Sequence, residues 1–96
     1  MSPRNEKLIA HCEGNGQLCA NGEVPLAVRF ILDTWCETIA TGSGTCAEIQ
    51  RSDGFLWWEG TSFPKPISTL ETDQGRQYRV NLYEFRSQRA RFYRLG

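Results

Sequence analysis

Val24-Pro25-Leu26-Ala27-Val28-Arg29-Phe30-Ile31-Leu32-Asp33 decides the fold class. Its even positions are Val24, Leu26, Val28, Phe30 and Leu32, and its odd ones mix Pro25, Ala27, Arg29, Ile31 and Asp33. That period of two belongs to a strand with one face on a core. Pro25 removes one ladder donor, which places it among the first residues of the strand or at an edge. Asn21-Gly22 just upstream is a hairpin signal, so Leu18-Cys19-Ala20 is expected to end a partner strand. Leu8, Ala10 and Cys12 continue that partner's inward face beyond Gly14-Asn15-Gly16, where the glycines predict a turn or a bulge.

Downstream, Thr41-Gly42-Ser43-Gly44 predicts the main loop and Thr45 to Gln50 a short strand. Asp53-Gly54 is expected to be a tight turn, followed by Phe55-Leu56-Trp57-Trp58-Glu59, a bulky run read as covered on both faces. The tandem tryptophans belong to the core in this reading rather than to a stacking platform. Phe63-Pro64-Lys65-Pro66 cannot be a central strand and predicts an extended connector. Ile67 to Thr72, the turn Asp73-Gln74-Gly75 and Gln77 to Phe85 form a further hairpin, and Ser87-Gln88 turns the chain into a last strand.

The expected fold is therefore all-β: a small single-domain antiparallel barrel or two-sheet sandwich of six to seven short strands. The polar residues 1–7 form a tail and residues 8–96 the domain. The expected core is Leu26, Val28, Phe30, Leu32, Ile49, Trp57, Val80 and Leu82. One alternative comes from Leu82, Phe85, Arg89, Phe92 and Leu95, whose spacing also fits a short C-terminal helix.

The 96 residues carry no net charge, yet the charge is unevenly placed. Arg76, Arg79, Arg86, Arg89, Arg91 and Arg94 face only Glu84 in the last 22 residues, whereas residues 1–74 hold ten carboxylates against five Lys and Arg. The basic end is also interleaved with aromatic residues. On strands, Arg79, Tyr83, Phe85, Arg89, Arg91 and Tyr93 are expected to share a face outside the core, and they form the candidate binding site. Two loop lengths give two registers: two residues place Glu84 opposite Arg91, and three bring Arg89, Arg91 and Tyr93 to the outer face. Such a surface suits a protein partner or self-association as a homodimer, because Arg and Tyr anchor interfaces. It also matches surfaces that stack single-stranded nucleic acid, the alternative reading. Asp53-Gly54-Phe55-Leu56-Trp57-Trp58 lacks the basic residue and second glycine of the ribonucleoprotein motif, and the acidic first half would repel a long phosphate track.

Catalytic signals are weak. His11 is the single histidine, no nucleophile elbow or phosphate-binding loop occurs, and Asp33 and Glu37 beside Cys36 oppose thiolate formation. A noncatalytic module without cofactor or catalytic residues is expected. Cys12, Cys19, Cys36 and Cys46, spaced by 7, 17 and 10 positions, match no paired zinc knuckle and no redox pair, so no metal site is expected. They read as small buried hydrophobes, with a Cys12 to Cys19 crosslink as the alternative for an exported protein. Without a signal-like apolar run or a membrane-length segment, the expected location is cytoplasmic and away from membranes.

Overall fold

A computed structural model describes residues 5–40, 42, 44 and 46–95. Six antiparallel strands follow one another: β1 (Asn5–Cys19), β2 (Leu26–Ala40), β3 (Cys46–Trp57), β4 (Ile67–Thr72), β5 (Gln77–Arg86) and β6 (Arg89–Arg94). They close into a barrel in the order β1-β2-β3-β6-β5-β4. Two three-stranded meanders thus meet at two seams, β3 with β6 and β4 with β1, and no helix forms among the described residues.

The alternation of β2 sets the lumen. Val28, Phe30 and Leu32 point inward and meet Leu18, Leu56, Trp58, Leu70, Val80, Leu82, Ala90 and Phe92, all buried. Leu26 packs partly buried against them. Ile49 and Trp57, expected in the core, instead stand outside it with 48% and 37% of their surface exposed. The reason is register: Leu56 and Trp58 share the parity of Phe30, so Phe55 and Trp57 face outward. Val24 lies before β2 and is exposed.

Two expected turns are strand interiors. β1 runs unbroken through Gly14 and Gly16, and β3 runs through Asp53 and Gly54. Gly16 and Gly54 serve close approach rather than chain reversal. A Cβ on Gly54 would lie 1.8 Å from the Ile31 carbonyl oxygen, and one on Gly16 2.4 Å from that of Glu71. The turns at Asn21-Gly22, at 73–75 and at Ser87-Gln88 form as expected, with Gly22 at φ 77° and Gly75 at φ 82°. Of the expected loop at 41–44, Thr41 and Ser43 lie outside the described residues, as does Thr45. β1 begins at Asn5, so residues 5–7 of the expected tail belong to the sheet.

The barrel does not use the full length of its first three strands. β1 pairs with β4 only from Gly16 to Cys19, and β3 with β6 only from Asp53 to Trp57. The rest of β1, β2 and β3 continues as a three-stranded arm, which explains extents of 50 × 27 × 22 Å. The radius of gyration is 15.6 Å, against roughly 12–13 Å for a compact domain of this length. Where arm meets lumen, Thr34 and Ser52 share a hydroxyl hydrogen bond of 2.9 Å.

All four cysteines are free, and none is fully buried, which corrects the reading as buried hydrophobes. Cys12 and Cys19 lie seven residues apart on one continuous strand, about 23 Å by strand rise, so a crosslink between them is geometrically excluded. Among the described residues no helix is long and apolar enough to cross a membrane.

Candidate functional site

The outward face of the barrel is organised in cross-strand rows. Arg29, Trp57, Arg89 and Arg86 form one row across β2, β3, β6 and β5. Ile31, Phe55, Arg91 and Tyr83 form the next, and His11, Asp33, Asp53, Tyr93 and Asn81 the one after. Basic and aromatic residues thus collect toward one end of the face and carboxylates toward the arm.

The last hairpin combines both expected registers. Ser87-Gln88 is a two-residue loop with Arg86 opposite Arg89, yet the register shifts before Tyr83 meets Arg91. Glu84, at φ 51°, carries the bulge. The bulge reverses parity within β5, so Tyr83 points out while Phe85 turns to the barrel end. There Phe85 lies edge-on to buried Trp58 with centroids 6.4 Å apart, away from the other candidates. Tyr83, Arg91 and Tyr93 do come together, with Arg89 one row toward the hairpin turn and Arg79, exposed, one row beyond Asn81 on the other side.

Arg91 is the most constrained of them. Its guanidinium lies 5.4 Å from the Phe55 ring centre and 5.5 Å from that of Tyr83, and it donates to Glu84 at 3.2 Å. Tyr83 and Tyr93 lie 5.8 Å apart, and Asn81 Nδ2 donates to the Tyr93 hydroxyl at 2.8 Å. Arg91 is therefore neutralised within the fold, in a geometry suited to cation–π attraction. Arg29, Arg86 and Arg89 make no ion pair among the described residues.

Sequence reasoning missed Arg29, Phe55 and Trp57. Phe55 and Trp57 stack with centroids 6.4 Å apart. Trp57 stands between two open grooves of roughly 560 and 510 Å³, the first lined by Glu13, Arg29 and Ile31, the second by Leu26, Val28 and Trp58. The run Phe55-Leu56-Trp57-Trp58 is apolar throughout, so nothing in the sequence marked its outward half, and the alternation in burial follows only from the register with β2.

Toward the arm, His11 is bonded through Nδ1 to Asp33 and through Nε2 to Glu13, the latter at 3.2 Å. These bonds, Asp33 first, raise its pKa above the ordinary value of 6.5. The carboxylates engage opposite ring nitrogens, so the three groups do not converge on one point, and no set of three or more potential metal ligands occurs among the described residues. Arg51 binds Glu6 and Asp53 and lies 6.0 Å from the Trp35 ring centre.

The chain matches no family model, and no curated protein or solved structure is similar enough to it to mark a relationship.

Proposed function

We propose that this protein is a noncatalytic interaction module that docks an acidic, apolar-anchored segment of a partner protein on its Trp57 face. The observation that carries this reading is Trp57 itself, standing outside a filled core between Arg29 and Arg89, neither of which has a counterion among the described residues. A large ring beside grooves takes an apolar side chain, and unpaired guanidinium groups on a rim take carboxylates in bidentate geometry. The noncatalytic part rests on His11, which both carboxylates hold on an exposed sheet face while Cys12 turns to the other side.

Single-stranded nucleic acid is the second reading, favoured by the stacked Phe55–Trp57 pair. Against it stand Glu13, Asp33 and Asp53 in the next rows, which repel a phosphate backbone leaving the patch. The test follows tryptophan fluorescence, assigned to Trp57 by its loss in Trp57→Phe, while a peptide of alternating Glu and Leu, or an oligothymidylate, is added at low and moderate salt. Peptide binding that disappears in Arg86→Glu/Arg89→Glu is the expected result. Tighter oligothymidylate binding, with a log–log salt slope near −0.7 per neutralised phosphate, would establish the second reading instead. No response to either probe would remove both.

A further inference from the structure

Among the described residues the arm has two free edges, and they differ. Along β1 the free residues include a bulge at Ile9, where the register with β2 shifts between Leu8 and Ala10, and the charged pair Glu6-Lys7. Bulges and lysines are the usual devices that blunt an edge against pairing. Along β3 the free residues are Cys46-Ala47-Glu48-Ile49-Gln50-Arg51-Ser52, which hold no proline and no lysine, and their ladder with β2 is uninterrupted. One edge is protected and the other is left as a template.

We propose that the β3 edge pairs with the same edge of a second copy, joining two arms into one six-stranded antiparallel sheet. A two-fold axis normal to the sheet must place each residue opposite one on the same face, which leaves few registers. Centred on Glu48, the ladder sets Glu48 against the partner's Glu48, a like-charge pair. Centred on Gln50, it drives the partner's Cys46 onto Gly54, already paired with Phe92. Centred on Ile49, it uses all seven free residues of both copies. Ile49 then meets the partner's Ile49, Ala47 the partner's Arg51, Glu48 the partner's Gln50 and Cys46 the partner's Ser52. No like charges face each other, and Ile49, 48% exposed in the single chain, gains an apolar partner.

The foot of the arm has room for the copy. An open groove of roughly 680 Å³ lies there, lined by Gln50, Arg51, Ser52, Tyr83, Tyr93 and Arg94 among others. In the Ile49-centred register the partner's Cys46 lies opposite Ser52, which lines that groove. This interface is separate from the Trp57 patch and stands or falls independently of it.

The test is sedimentation equilibrium of the full chain under reducing conditions, with Ile49→Lys and Ile49→Glu measured alone and mixed. The expected result is a wild-type dimer, association weakened about tenfold or more in each variant alone, and dimer recovered on mixing, since opposite charges then face across the axis. Both variants change an exposed side chain, and circular dichroism checks that each is folded. In a Cys46→Ser background, Ile49→Cys should form an interchain disulfide on removal of reductant. A wild-type monomer at every concentration overturns the proposal, as does a dimer indifferent to both charges, which would shift the contact to another surface.

Discussion

Residues 26–32 and 33–40 of β2 lie on one unbroken strand, but in different surroundings. The first stretch sends Val28, Phe30 and Leu32 into the lumen, whereas the second carries Cys36 and Thr38 on one face and Trp35, Glu37 and Ile39 on the other, none fully buried. Backbone pairing extends a sheet beyond its core, but side-chain burial decides where stability resides. The barrel is where the chain is held together. The arm is held by its hydrogen bonds and by surface contacts such as Arg51 on Trp35.

The largest effect that sharpens this contrast is expected from Phe92→Ala, which empties a side chain with no exposed surface and should cost about 3–5 kcal/mol by urea unfolding. A loss no greater than that of an arm variant would break the contrast. Gly54→Ala comes next, at about 1–3 kcal/mol or more, because its Cβ meets the Ile31 carbonyl and β2 and β3 must part. In the arm, Ile49→Ala should stay within about 0.5 kcal/mol when measured on monomer, and the Cys36 and Gln50 amides should exchange faster than those of Phe30 and Leu56. Equal protection in arm and barrel would mean that the ladder needs no core.

The smallest effect is titratable. His11 has a folded-state pKa above its unfolded value, so the stabilisation from its bonds to Asp33 and Glu13 is fully present below about pH 6.5 and is lost as pH rises through the raised value. Wild type and His11→Gln should therefore differ in melting temperature on the acidic side and converge on the alkaline side. A nuclear magnetic resonance titration should place His11 above the ordinary histidine value and return it toward that value in Asp33→Asn. Solvent around the exposed ring keeps the effect small.

The sequence made the barrel legible wherever parity and turn chemistry agreed. The barrel half of β2, together with β4, β5 and β6, follows from alternation bounded by Asn21-Gly22, Asp73-Gln74-Gly75 and Ser87-Gln88, while the extension of β2 to Ala40 carried no such signal. β1 and β3 were divided too early because a glycine marks a reversal and a tight strand crossing in the same way. Only the neighbour across the sheet, Glu71 for Gly16 and Ile31 for Gly54, separates the two roles. At the site, Tyr83, Arg89, Arg91 and Tyr93 were found by their strand parity. Phe85 was misplaced by one bulge at Glu84, and Arg29 and Trp57 stayed hidden because their adjacency arises between strands.

The seam between β1 and β4 has only four residue pairs, Gly16 with Thr72 through Cys19 with Thr69, joining segments about fifty positions apart. Each meander assembles from neighbouring strands, so its loops are short, while this last contact must recover the entropy of a long closure. Loop-closure entropy therefore predicts that the ring closes at β1 and β4 after the meanders have formed and parts there first, through an open curled sheet with β4 and the inner end of β1 as its transient margins.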